Sequence, residues 1–420
     1  MSLQDLPTEI LLMCLQKLDR PDYRYRRFYA WANIRLTCRR FARLVIPLLF
    51  SKITVQFSST CLQRLERLSQ NPSIAGSITH VTIALPCYDP AMLEDFSLFV
   101  RSRAYALELS MIVIWHDSTT GKIFEEIEEE RSRILSTWDA VGDGDYDIDH
   151  IDQNLKLLQQ SHQNYQKLYC DQQERKPVML LSEILKRLNN LQQISIDDSV
   201  QEEGHVDEKG HLVLAWESGY IPASMWSGSE FGPNIATPWK LIADIFDTME
   251  MLSVHPAKFC LDIYEAIFDP RAFQMSPECL VRIGDILKDT KSIRVHIEQA
   301  YKDRDDIEDD IESVGLLTNA LCNVASLQEL ELSFLCIDGY RPAAFVLPLG
   351  KTTWVHLRTL KLRRIAFTRE KFRMLLQQCN KDVLEDVHLH DVESPSMSRQ
   401  DVSEDLKSFT KVRKIIWRDA

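Results

Sequence analysis

Three sets of residues in this chain of 420 have types and spacings that could do chemistry. The first is DGDYDIDHIDQN, where Asp143, Asp145 and Asp147 fall at the first, third and fifth positions of a calcium loop. Such a loop needs glycine at its sixth position for a sharp turn and a bidentate glutamate at its twelfth. Ile148 and Asn154 stand there, so the stretch reads as an acidic loop. The second set is VHLHDV, where His388 and His390 alternate along a strand and share one face. Two imidazoles with no further ligand nearby in sequence do not make a metal site. The third set is the ten cysteines, which include no CxxC; Cys322 and Cys336 are fourteen apart. They read as reduced, buried thiols of an intracellular protein rather than as a disulfide framework or zinc site. No P-loop, GxGxxG, GxSxG or HExxH occurs. The expectation is a protein that is not an enzyme and uses no cofactor or metal.

Composition bounds the class of protein. Apolar residues make up 45% and charged residues 26%, ordinary for a folded protein. A net charge of −13 argues against nucleic acid as the main partner. Yet residues 17–43 hold nine basic side chains against Asp19 and Asp22, a local patch able to steer an acidic partner. The opening apolar run, Ile10 to Leu15, is six residues long with acidic residues upstream, which suits neither a signal peptide nor a membrane span. Cytoplasm or nucleus is the expected location.

The elements that position these residues divide into two rhythms. In LPTEILLMCLQKL, Ile10, Leu11, Cys14, Leu15 and Leu18 form a stripe at helical spacing, while Leu12 and Met13 lie off it. A helix apolar on nearly all sides must be covered on more than one side, by its own domain and by a partner. WANIRLTCRRFARLVIPLLF reads as a second helix, with Pro47 able only to end or bend it. Beyond residue 51 a Leu-x-x-Leu-x-Leu pattern recurs. It is clearest at Leu327/Leu330/Leu332, Leu357/Leu360/Leu362, Leu384/Val387/Leu389 and Val412/Ile415/Trp417, with starts 30, 27 and 28 residues apart. Earlier echoes are Ile78/Val81/Ile83, Leu191/Ile194/Ile196, KFCLDI and SIRVHI. PWKLIADIFDTMEML, SPECLVRIGDILKDT and TREKFRMLLQQC lie between them as helices. No such unit buries its apolar face alone, so neighbours stack.

The expected fold is α+β overall: a small all-α unit at 1–52, then an irregular α/β leucine-rich-repeat solenoid at 53–420 with a parallel sheet on its concave face. Leu335, Ile365 and Val392 occupy the ninth pattern position, where Asn or Cys is usual. An acidic helical insertion is expected at about 116–180, with exposed helices and a protease-sensitive, trimmable stretch at 139–150, and an acidic excursion at 302–312. Outward strand positions supply a candidate target-binding face: Glu329, Glu331, Thr359, Lys361, Arg363, Asp386, His388 and His390.

LPTEILLMCLQKL set beside NIRLTCRRFARLVIPLLFSKI resembles an F-box, over residues 3–53. With the repeats behind it the chain is similar to F-box leucine-rich-repeat proteins, including the divergent kind common in filamentous fungi. The spacing between Leu18 and Cys38 is longer than is usual in that family. The resemblance implies that Leu6, Pro7, Ile10, Leu11, Leu15, Leu36, Cys38 and Phe41 face the adaptor subunit of an SCF-type cullin–RING ubiquitin ligase, with Arg35, Arg39, Arg40 and Arg43 helping to orient it. It implies that the repeats hold a protein substrate, and that the adaptor brings in cullin. The alternatives are an F-box scaffold outside a ligase, or an interaction protein whose N-terminal helices are only a cap.

Overall fold

The computed structural model describes residues 6–17, 31, 33–85, 88, 90–101, 129, 132, 136, 153–198, 205–206, 212–213, 239–251, 253–263, 277–299, 318–336, 343–344, 353–392 and 398–418. An N-terminal group of helices leads into a nine-stranded parallel sheet with helices packed against it, a mixed α/β arrangement.

Helix α1 (Thr8–Lys17) begins where the Leu11 N–H donates to the Pro7 carbonyl at 3.1 Å. A helical turn at 33–37 precedes α2 (Arg39–Phe50). The single helix expected across this region is therefore broken at Cys38, whose backbone is extended at φ −159° and ψ 163°. The Thr37 hydroxyl donates to the Ile34 carbonyl at 2.7 Å, the kind of local side-chain bond that competes with helix continuation. Pro47 does not end α2, which runs three residues past it. Leu15, Trp31, Val45 and Leu49 form a small core here, with Ile34, Leu44, Leu48 and Phe50 around it. Phe50 also packs on the main core, so its ring bridges the two cores.

The strands are β1 (Lys52–Gln56), β2 (His80–Ala84), β3 (Gln193–Asp197), β4 (Lys258–Ile263), β5 (Ser292–Gln299), β6 (Glu329–Cys336), β7 (Thr359–Arg363), β8 (Asp386–His390) and β9 (Lys414–Arg418). They lie side by side in chain order, each parallel to the next. Register follows the leucine pattern. One cross-strand row runs through Val81, Ile194, Phe259, Ile293, Leu330, Leu360 and Val387. A second runs through Ile83, Ile196, Leu261, Val295, Leu332, Leu362 and Leu389. Every one of these side chains is fully buried. A slip of one residue would turn them all to the opposite face, so the pattern fixes the pairing.

The longer helices that follow are α3 (Ser59–Ser69), α4 (Gln153–Gln173), α5 (Arg175–Arg187), α6 (Trp239–Met251), α7 (Pro277–Ile286), α8 (Arg369–Gln377) and α9 (Arg399–Asp405); short helices at Pro72–Ala75 and Ala91–Glu94 and two separate two-stranded sheets are also described. Leu62, Ile184, Ile245, Ile283 and Leu375 belong to the same core as the two strand rows. The helices therefore cover the apolar face, and the polar positions look the other way. Local backbone repeats as well. Arg364 and Asp391, the residues directly after β7 and β8, both have φ 53°. Each is followed by a buried apolar residue, Ile365 and Val392, at the ninth pattern position.

The insertion expected at 116–180 is corrected in its second half. Helix α4 is docked, not exposed: Leu155, Leu158, His162 and Tyr165 are buried. His162 bonds the Met92 carbonyl at 2.6 Å, and its ring lies 4.9 Å from that of Phe99. Tyr165 meets Tyr88 edge-on at 5.0 Å. These positions are three, four and three residues apart, one helix face hidden in a glutamine-rich sequence. Asp171 reaches α3, accepting from the Ser59 N–H at 2.9 Å and the Ser59 hydroxyl at 2.8 Å. The 139–150 stretch, with its calcium-like aspartates, and the 302–312 excursion lie outside the described residues.

Candidate functional site

Two surfaces collect the residues singled out by sequence. The first is the outer side of the N-terminal helices. Leu6 is half-buried and Pro7 exposed; Cys38 and Phe41, at the start of α2, are half-buried. Ile10 is 43% exposed and Leu36 75%. Leu11 and Leu15 do not join them: at 2% and 5% exposure they are buried by the chain itself, Leu15 in the small core with Trp31. The Trp31 indole N–H donates to the Leu15 carbonyl at 3.3 Å, tying down that end of α1. The apolar stripe of α1 therefore divides. Leu11 and Leu15, four apart, face inward; Ile10 and Cys14, also four apart, face outward with Met13 between them, 55% exposed. Met13, off the helical stripe, was the sequence signal for this outer side.

Arg40 is not available to orient a partner in the way expected. Its guanidinium donates to the Leu6 carbonyl at 2.7 Å and the Thr8 hydroxyl at 3.3 Å. It is a strut that ties the start of α1 to α2 and so presents Pro7 and Ile10. Arg39 and Arg43 are exposed and Arg35 is half-buried.

The second surface is the polar face of the sheet, where all eight candidate target-binding residues fall in three cross-strand rows. Glu329, Thr359 and Asp386 are neighbours, then Glu331, Lys361 and His388, then Arg363 beside His390. Their charges are engaged with one another. Lys361 Nζ donates to Glu329 Oε1 at 2.6 Å and lies 3.5 Å from Glu331 Oε2; Arg363 Nε lies 3.3 Å from Glu331 Oε1. Burial alone would raise the Glu329 carboxyl, but the Lys361 ammonium and the Ser292 hydroxyl that bond it hold it below the usual carboxylate range. Burial would likewise lower Lys361, yet the two glutamates keep it above the ordinary lysine value. His388 is held down by burial, then by Lys414 and Lys361, and is neutral near pH 7.

The same face continues toward β2 with groups that sequence did not single out. His80 Nε2 lies 3.0 Å from Ser195 Oγ, Gln193 Nε2 lies 3.4 Å from Cys260 Sγ, and Arg294 forks onto Asp262. These residues come from four strands separated by long connections, so only the register unites them. Burial, then the cations Lys52, Arg294 and Lys258, lower His80 to about 4. Burial pushes the Cys260 thiol up, so it is no activated nucleophile. Among the described residues no three His, Cys, Asp or Glu side chains are grouped to hold a metal ion, and no helix is long and apolar enough to cross a membrane.

Residues 3–50 match the model of the F-box domain family, so the N-terminal helical unit is an F-box domain. F-box domains typically bind the adaptor subunit of SCF-type ligases. No curated protein matches the chain.

Proposed function

We propose that this chain is the target-recognition subunit of an SCF-type cullin–RING ubiquitin ligase. The F-box docks on the adaptor through Pro7, Ile10, Met13 and Leu36, and the adaptor brings cullin. The sheet, read as an irregular leucine-rich-repeat solenoid, holds a protein target on its polar face. The chain itself catalyses nothing; it raises the concentration of the target near a ubiquitin-bearing partner. The observation that carries this reading is the divided first helix. Inside an F-box match, Leu11 and Leu15 are spent on the chain's own core while Ile10, Met13 and Leu36 remain outside it. Helices that were only a cap would turn these side chains inward. The test is affinity purification of the tagged chain followed by mass spectrometry. Adaptor and cullin should both be recovered with the wild type and lost with Ile10→Glu/Leu36→Glu. Adaptor without cullin points to a scaffold outside a ligase, and neither partner with the wild type restores the cap.

A further inference from the structure

A row of charge runs along the start of the sheet. Lys291, Gln328, Arg358, Glu385 and Arg413 directly precede β5, β6, β7, β8 and β9. Their backbones are bonded in turn. The Gln328 N–H donates to the Lys291 carbonyl at 2.7 Å; then Arg358 donates to Gln328, Glu385 to Arg358 and Arg413 to Glu385, each at 2.8 Å. A cation therefore stands before every second strand. Lys291, Gln328, Arg358 and Arg413 are exposed and Glu385 is half-buried. Lys258 and Lys414, the first residues of β4 and β9, are exposed beside the row. On the polar face Lys361, Arg363 and Arg294 are matched by Glu329, Glu331 and Asp262. Among the described residues Lys258, Lys291, Arg358, Arg413 and Lys414 join no such pair. The positive field reaches the sheet: burial and then Lys52, Arg294 and Lys258 hold His80 down, and burial and then Lys414 and Lys361 do so at His388.

We propose that this row is a docking rim for an extended segment of a target protein that carries an acidic side chain at every third residue. Strands lie about 4.8 Å apart, so cations before alternate strands are about 10 Å apart. An extended chain advances about 3.3 Å per residue, so three residues cover that step. Glu385, between Arg358 and Arg413, repels an acid placed opposite it, and Gln328 offers a neutral hydrogen bond between Lys291 and Arg358. The row thus favours spaced acids over a continuous acidic run. The evenly charged backbone of a nucleic acid meets Glu385 in the row and a net charge of −13 on the whole chain. Exposed cations are also common as a merely solvated surface, and the experiment separates that role from docking. Only the ownership of the segment rests on the reading of the chain as a target receptor; the charge row does not.

The probe is a fluorescein-labelled peptide, Glu-Ser-Thr-Glu-Ser-Thr-Glu, and its control is Ser-Thr-Glu-Glu-Glu-Ser-Thr, of the same composition. Titration of the full chain at low salt should give saturable anisotropy, with the spaced peptide bound about fivefold more tightly, because the control reaches fewer cations at once. Carbodiimide should couple the spaced peptide to Lys291, located by mass spectrometry. K291Q/R358Q/R413Q should weaken its binding about tenfold through three lost charge pairs, with the melting temperature unchanged at these exposed positions. Absence of binding, equal binding of the two peptides, or undiminished binding by the triple variant overturns the proposal and leaves the cations as solvated surface. A single-stranded oligonucleotide that binds more tightly than the spaced peptide overturns it in favour of nucleic acid. A dimer in light scattering that the triple variant dissolves overturns it in favour of a second copy. Binding of the spaced peptide by a chain that captures no adaptor keeps the rim and removes the ligase reading instead.

Discussion

Single residues carry unequal shares of the structure. Trp354 is 1% exposed, its indole N–H donates to the Cys322 carbonyl at 2.9 Å, and its backbone bridges to Cys379. Trp354→Ala should cost about 3–5 kcal/mol by chemical denaturation. Trp354→Phe keeps an aromatic ring but loses the indole donor; the Cys322 carbonyl still accepts from the Val324 N–H at 2.8 Å, so the change should cost less, about 1–3 kcal/mol. His80 sets a pH dependence. It is lowered to about 4 by burial and then by Lys52, Arg294 and Lys258, so the folded chain keeps it neutral. The unfolded chain takes up that proton near the ordinary 6.5. Stability is therefore fully present above that value and is lost as the pH falls from it toward about 4. In His80→Gln, the loss of melting temperature between about pH 7 and about pH 4.5 should be smaller than in wild type. Lys361 shows where sequence reasoning stopped. Alternation along a strand placed it on the polar face, but only the parallel register shows that Glu329 and Glu331 already hold it. Charge reversal at Lys361 would thus face two glutamates and disturb the sheet as well as any target.

At the scale of elements, the strands were legible and several helix contacts were not. Two buried rows repeat with a simple spacing, so Leu327, Leu357, Leu384 and Val412 announced where strands begin. Contacts between distant elements leave no such mark. The clamp between Asp171 and Ser59 joins residues 112 apart. Asp171, buried in its site, supplements the Ser58 hydroxyl, which caps α3 by accepting from the Cys61 N–H. Asp171→Ala should destabilise the chain by about 1–2 kcal/mol in denaturant titration and should expose α4 to protease before the sheet melts. Asp171→Asn, which retains one acceptor, should fall between. The end of the chain holds a second clamp of this kind. Arg369 on α8 binds Asp401, Glu404 and Asp405 of α9, and Arg373 also binds Asp405. The Arg369 and Arg373 guanidiniums bonded to Asp405 hold that carboxyl below its usual range. The break at Cys38 was missed for a related reason: the apolar spacing of Ile34, Cys38, Phe41 and Val45 runs through it unbroken, whereas the hydroxyl of Thr37 interrupts the backbone.

For the whole molecule, the consequential feature is how the F-box joins the sheet. Phe50 ends α2, touches the small core of Leu15, Trp31, Val45 and Leu49, and packs on the main core before β1 begins. A unit of about fifty residues has little core of its own, so this contact matters to it more than to the sheet. Phe50→Ala should raise hydrogen exchange across α1 and α2 well before it affects β5 to β8. Unchanged exchange in the helices would show that the two parts fold independently. The F-box helices and the parallel strands were readable from the N-terminal motif and the recurring leucine pattern, while the side chains of α1 that stay exposed were not. An apolar helix shows that two faces need covering, but which leucines turn inward depends on Trp31, Val45 and Leu49 far along the sequence. The most direct test of the central claim is calorimetric titration of purified SCF adaptor into the full chain. The wild type should form a one-to-one complex. Ile10→Glu/Leu36→Glu, whose exposed positions leave the melting temperature nearly unchanged, should bind at least about a hundredfold more weakly. No heat of binding from the wild type, or equal binding by the double variant, would contradict it.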